Sequence, residues 1–147
     1  MTYKQPISTL IVVHTSDLKV LLIERADRPG FWQSVTGSIE LGEQIEETAA
    51  RELAEETGFT PNDGELTNWH IQNQYEIYET WRHRYAPGVT SNTEHVFGFK
   101  LPTTKPVTLA AKEHISYRWV NWETAAEVVF SPSNREAILL LGKKLNT

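Results

Sequence analysis

The stretch from Gly37 to Phe59 constrains this chain more than any other. It opens as a glycine-bearing loop and runs into a helix, expected from near Gln44 to Thr57. Gly58 suits the left-handed residue that closes such a helix. Glu52 and Glu56 stand four residues apart, so both side chains leave one helical face, and Glu55 flanks them. Arg51 sits four before Glu55, within reach of an ion pair. At about 100° per residue, Ala49, Ala50, Leu53 and Thr57 form a stripe suited to packing on a sheet. Glu52 and Glu56 fall at the edge of that stripe and Glu55 further out. The pair is therefore expected to be half sheltered, where its charge is poorly screened.

Carboxylates crowded in this way repel one another, and like charges at helical spacing weaken the helix slightly. A divalent cation removes the conflict. Ligation by oxygen alone suits a hard ion such as Mg²⁺ or Mn²⁺, which takes phosphate oxygens as its remaining ligands. A bare E-x-x-E-E would more simply be a solvated acidic face, but the stretch holds more. Gly37, Glu43, Arg51, Glu52, Leu53, Glu55, Glu56, Gly58 and Phe59 fill every fixed position of G-x5-E-x7-R-E-U-x-E-E-x-G-U, with U apolar. At average residue usage, a chance match at one start position has a probability on the order of 10⁻⁹ or below. That pattern is the signature box of the Nudix hydrolases, and the chain resembles that family.

Composition narrows the partners. The 147 residues fit one domain, 1–147, with a real core, and 39% hydrophobic content supports a folded globule. A net charge of −5 argues against a nucleic-acid binder, which needs a basic face, but not against a small polyanion held through a metal. The absence of cysteine excludes a disulfide framework and a thiolate zinc site. No apolar run reaches the length of a membrane span, and the start lacks the long apolar region of a signal peptide. The expectation is a soluble cytoplasmic protein, a monomer with no membrane partner, although an oligomer is left open.

Around the box, Ile7 to His14 reads as a buried strand and Val20 to Glu24 as its hairpin partner. Arg25 follows at the strand end; it could contact a phosphate, or be an ordinary surface charge. Trp32 to Val35 reads as one short strand. Thr36 and Gly37 sit where backbone must approach a ligand closely, which glycine permits. Leu66 to Glu79 reads as a long strand, with Trp69, Ile71, Tyr75 and Ile77 facing one side and His70, Gln72, Glu76 and Tyr78 the other. Tyr75, Tyr78 and Trp32 offer flat faces on which a heterocycle could stack. Residues 81–94 form a basic, turn-containing connection in which Arg82 and Arg84 could clamp a phosphate or simply balance nearby acids. Glu94 to Lys100 reads as a strand, with Val96 on one face and Phe97 and Phe99 on the other. Another strand is expected from Tyr117 to Val120, and a short helix from Glu123 to Val129. Ser133 to Glu136 reads as a capping box opening a last helix, with Ile138, Leu141 and Leu145 on one side.

Outside the box, Phe31 to Ser38, Arg82 to Thr90 with Asn92 to Glu94, Glu113-His114 with Tyr117 and Trp119, and Ser133 to Arg135 resemble the bacterial dihydroneopterin triphosphate pyrophosphatases within that family. The resemblance implies an α/β fold, an α/β/α sandwich around a mixed sheet. It also implies Mg²⁺-dependent removal of pyrophosphate from a small-molecule triphosphate in folate synthesis, with Mn²⁺ a possible substitute. By position it makes Glu52 and Glu56 metal ligands and Glu113 a further one. Lys4, Arg25, Thr36, Tyr75, Glu76, Ile77, Tyr78 and Ser133 would line the substrate site, with Arg82 and Arg84 nearby. Glu55 or Glu113 would accept a proton, and Arg51 would hold a box carboxylate in place, itself oriented by Glu43. Two rival readings share the box: a pyrophosphatase for oxidised nucleoside triphosphates or dinucleoside polyphosphates, and a nucleotide-binding module without turnover.

Overall fold

A computed structural model describes residues 3–110 and 112–145, with side chains of the last helix described to Lys143. The expected outward or inward placement of Leu145 therefore lies outside the described residues. Among the described residues, seven strands form one mixed sheet: β1 (Ile7–Thr15), β2 (Lys19–Arg25), β3 (Trp32–Gln33), β4 (Val35–Ser38), β5 (Glu65–Glu76), β6 (Ser91–Leu101) and β7 (His114–Asn121). The described α-helices α1 (Ile45–Thr57), α2 (Trp122–Val128) and α3 (Pro132–Leu145) cover it.

β1 lies at the centre because its side chains can be buried on both faces, the pattern of a strand covered on two sides. Leu10 and Val12 point to the layer of α2 and α3, where they meet Val20, Leu22, Val96, Ile138 and Leu141. Ile11 and Val13 point to α1, where they meet Ile23, Ala49, Leu53, Phe97 and Phe99. The two clusters make the helix–sheet–helix sandwich expected from the sequence. Each buried phenylalanine contributes about 1.5–3 kcal/mol through removal of apolar surface from water.

β1 runs parallel to β6 from Ile7 opposite Thr93 to Thr15 opposite Leu101. On its other side it changes partner. Its first half pairs antiparallel with β4, Ser8 to Ile11 against Ser38 to Val35, whereas β2 meets it only at His14 and Val20. β2 splays away and pairs instead with β7 and β3. The sheet therefore forks, and the fork opens a trough beside Thr36 and Gln33.

That fork corrects the single strand expected over Trp32 to Val35. The chain breaks at Ser34 and passes from β2 to β1. The side chain of Asn134 in α3 holds the break: its Oδ1 accepts from the Ser34 amide at 2.8 Å, and its Nδ2 donates to Ser34 Oγ at 2.9 Å. Other boundaries shift for local reasons. β5 ends at Glu76, and Glu79–Arg84 form a 3₁₀ turn, so the basic connection is short and β6 begins at Ser91. β7 begins at His114 rather than Tyr117. The last helix starts at Pro132, whose fixed φ suits a first helical position. Ser131 Oγ accepts from the Asn134 amide there, so the expected capping role of Ser133 falls to Ser131. β5 carries a bulge between Asn68 and Ile71, with His70 at φ 57° and its amide bound to Asn68 Oδ1 at 2.8 Å.

Candidate active site

α1 is built to present its acids. Glu47 Oε1 accepts from the Gln44 amide at 2.8 Å to fix the start, and Gly58 closes the end at φ 80° with its amide on the Ala54 carbonyl. Between these caps Glu52 and Glu56 share the sheet-facing side. They are more deeply buried than the half-sheltered position expected, at 9% and 1% exposed. Gly37 in β4 makes room for Glu52: a Cβ there would lie 1.9 Å from Glu52 Cδ.

Arg51 is the hub of the acidic ridge. It donates to both carboxylate oxygens of Glu43 at 2.7 and 3.0 Å, to Glu52 Oε1 at 2.8 Å and to the Ser38 carbonyl at 2.9 Å. Its contact with Glu55 is longer, 3.4 Å, and the Glu55 side chain is 54% exposed. The Arg51 guanidinium holds the Glu43 carboxyl at a pKa of about 2, well below its usual range. Burial pushes Glu52 the other way, to about 7, against the pull of Arg51.

Behind Glu52 a second group gathers. Ligand atoms of Glu56, Glu113 and His114 all lie within 4.8 Å of one another. Glu56 Oε2 and His114 Nδ1 touch, yet neither atom makes an aligned hydrogen bond. Burial works to raise Glu56, but its contacts with His114 and Glu113 outweigh burial and hold it low. A hydrogen bond with Glu56, helped by burial, raises Glu113 to about 7. Two carboxylates this close, Glu56 buried and Glu113 exposed at the cleft, need either a shared proton or a cation. The donor set, mainly carboxylate oxygens with two buried ligand-type atoms in contact but without an aligned hydrogen bond, fits a divalent cation.

Two clefts meet beside this group. One, of about 820 Å³, is lined by Glu52, Arg51, Glu113, His114 and Gly37 among others. The other, of about 510 Å³, is walled by Ile77, Tyr78, Trp81 and Phe130, with Ser8, Asn73, Tyr75, Glu94 and Ser133 on its polar side. Lys4, Arg25, Gln33, Thr36, Gly37, Ser38 and Arg84 line both, so the two form one continuous trough. Three cations thus form a saddle between an aromatic end and an acidic end. Burial, then the neighbouring Arg84 and Arg25 charges, lower the Lys4 pKa, so bound negative charge would relieve that residue. Asp27 tethers two of the cations, accepting from Arg25 at 2.7 Å and Arg84 at 3.2 Å. Lys4 is tied by its amide to the Arg84 carbonyl at 2.8 Å.

The residues expected at the site divide accordingly. Lys4, Arg25, Thr36, Tyr75, Glu76, Ile77, Tyr78, Arg84 and Ser133 border the trough. Arg82 borders neither cleft; it donates to the Ile77 carbonyl at 3.0 Å and to Glu76 at 3.1 Å, bracing the wall rather than facing the space. Glu55 also lies outside the lining, whereas Glu113 faces the acidic cleft. Trp32, expected as a stacking face, packs at the core edge beneath the Arg118 guanidinium. Trp81 takes that place, edge-on to Tyr78 at 5.3 Å and under Arg25 at 4.5 Å. His114, Gln33 and Glu94 carried no assigned role in the sequence. Adjacency to Glu113 was the signal for His114; Gln33 and Glu94 look like ordinary strand polars until the fork brings them to the trough.

Residues 4–141 match the model of the NUDIX domain. The chain belongs to the Nudix family. Among Nudix relatives, it is 44% identical over 139 residues to the dihydroneopterin triphosphate diphosphatase of Escherichia coli K12, covering 92% of this chain and 91% of that one. It is 38% identical over 141 residues to the Haemophilus influenzae protein of the same name, covering 94% and 88%. The solved structure of the E. coli dihydroneopterin triphosphate pyrophosphohydrolase superposes with a TM-score of 0.88 at 41% identity, covering 94% of this chain and 95% of the other. Among the described residues no helix is long and apolar enough to cross a membrane.

Proposed function

We propose that this Nudix protein hydrolyses dihydroneopterin triphosphate between its α and β phosphates, giving dihydroneopterin monophosphate and pyrophosphate, a step in folate synthesis. The observation that carries the reading is the continuous trough: an aromatic end for a flat heterocycle, three cations at its middle and clustered carboxylates at the far end. Kinship with two proteins of that name over nearly their whole length supports the same substrate.

In this reading Lys4, Arg25 and Arg84 hold the phosphate chain across the saddle, and Thr36 and the Gly37 backbone let it approach β4 closely. Glu52, Glu56 and Glu113 would hold Mg²⁺, with Mn²⁺ a substitute. When bound, the ion supplies Lewis acidity that offsets charge building on phosphate oxygens. Arg51 keeps Glu52 pointed into the trough, and Glu43 keeps Arg51 in place. Of the two carboxylates expected to take the proton from the attacking water, Glu113 is the better placed, since it opens on the cleft whereas Glu55 lies outside the lining. The water adds its oxygen to phosphorus, the bridging P–O bond breaks, and pyrophosphate leaves. A single-domain monomer acting in the cytoplasm, on a small molecule rather than nucleic acid, belongs to the same proposal.

Initial rates on dihydroneopterin triphosphate, nucleoside triphosphates (oxidised and ordinary) and diadenosine polyphosphates, with and without Mg²⁺, test it. The expected result is Mg²⁺-dependent pyrophosphate release with the pterin substrate preferred. Preference for a nucleoside or dinucleoside polyphosphate would replace the substrate, and no turnover with any of them would leave a binding module.

A further inference from the structure

Glu94 is a buried acid to which the phosphate chemistry gives no task. It is 4% exposed, it borders the aromatic cleft, and its Oε1 has no hydrogen-bond partner. Strand register explains where it sits. Asn73 of β5 is opposite Glu94 of β6, Glu94 is opposite Ser8 of β1, and Ser8 is opposite Ser38 of β4. Residues directly opposed across strands share a face, and all four border the cleft. They form a polar row crossing its floor, beneath walls made by Ile77, Tyr78, Trp81 and Phe130. Burial raises the pKa of Glu94, while Ser133 and Asn73 beside it favour its charged form. A buried acid with one oxygen short of donors is costly, and a ligand that brings N–H groups into the cleft removes the cost.

We propose that Glu94 reads the 2-amino-4-oxopyrimidine edge of the heterocycle, accepting from the ring N–H and the exocyclic amino group with its two carboxylate oxygens. This deepens the proposed function and rests on it for the orientation of the ligand. Two parallel donors match a carboxylate as a guanidinium does. In a pterin this edge lies at the opposite end of the bicycle from the carbon that bears the phosphorylated chain. An edge seated on Glu94 therefore sends the chain out toward Lys4, Arg25 and Arg84. Adenine presents an acceptor beside its amino group, and that acceptor would face the carboxylate. Guanine carries the same donor pair as a pterin, so the shared chemistry is the donor edge, and the two sources are separated by the test.

Calorimetric titration of the metal-free protein with neopterin, its 2-oxo counterpart, guanosine and inosine provides that test, because none of these ligands carries phosphate. Wild type is expected to bind neopterin at least about tenfold more tightly than the 2-oxo compound, the scale of a hydrogen bond to a charged group. In Glu94→Gln the ratio is expected to fall toward one, since an amide offers one acceptor and one donor. Equal wild-type affinities for neopterin and its 2-oxo counterpart overturn the proposal, and this arm needs no variant to fold. A folded Glu94→Gln that keeps the full ratio overturns the assignment to Glu94. Tighter binding of guanosine than neopterin, with inosine weak, supports the donor edge and names guanine as its source. Selective binding without turnover sinks the proposed function alone, whereas turnover without this selectivity sinks only the present inference.

Discussion

At Gly37 a Cβ would fall 1.9 Å from Cδ of Glu52, so any other residue in β4 forces that carboxylate off its place in the trough. The neighbouring Arg51 then works by direction as much as by charge, with one guanidinium reaching Glu43, Glu52 and the Ser38 carbonyl at once. Its pairing with Glu43 has a consequence for stability. The folded pKa of Glu43, about 2, lies below the ordinary 4.5. Between these values the unfolded chain binds more protons than the folded one, so stability rises with pH there. The contribution of Glu43 is complete above its unfolded pKa and is lost as pH falls toward its folded one. Denaturant melts of wild type and Glu43→Gln across this range should show a shallower acid loss in the variant, which should also be less stable at neutral pH. Parallel acid profiles would remove Glu43 from the stability account.

α1 works as a unit because both of its ends are fixed. Its last turn depends on Gly58, at φ 80°, in a conformation that costs a residue with Cβ roughly 1–2 kcal/mol. A Cβ at that position would also meet Thr108 Cβ at 3.3 Å. Gly58→Ala is therefore expected to lower stability by about 1–2 kcal/mol in chemical denaturation. kcat of the folded fraction should stay near wild type, since Gly58 borders neither cleft. A variant as stable as wild type would mean that the helix end relaxes. α3 is tied to the site in another way, through Asn134, whose amide spans the break at Ser34. The helix thereby fixes the point at which the chain leaves β2 for β1.

Across the whole molecule, buried acids of the trough repel one another unless a proton or a cation is shared, so metal binding should couple to folding. A ligand present at about 100 times its Kd and bound only by the folded state adds about 2.7 kcal/mol. Thermal melts in MgCl₂ should therefore lie above those in EDTA, and the shift should vanish in Glu56→Gln. A shift that persists undiminished in that variant would place the stabilising cation elsewhere. The box, its helix, its metal-type chemistry and the two-faced burial of β1 were legible in the chain alone, because each depends on local spacing along a helix or strand. Glu52 and Glu56 share a face wherever that helix is put, and the unbroken apolar run Leu10 to Val13 inside Ile7–Thr15 requires cover on both sides. What tertiary structure alone decided is which distant polar groups meet. The splaying of β2 from β1 brought Gln33, His114 and Trp81 to the trough and turned Trp32 away. The cross-strand register put Glu94 in line with Asn73, Ser8 and Ser38. Register and forking follow from packing two helical layers against one sheet, a long-range balance that no window of sequence contains.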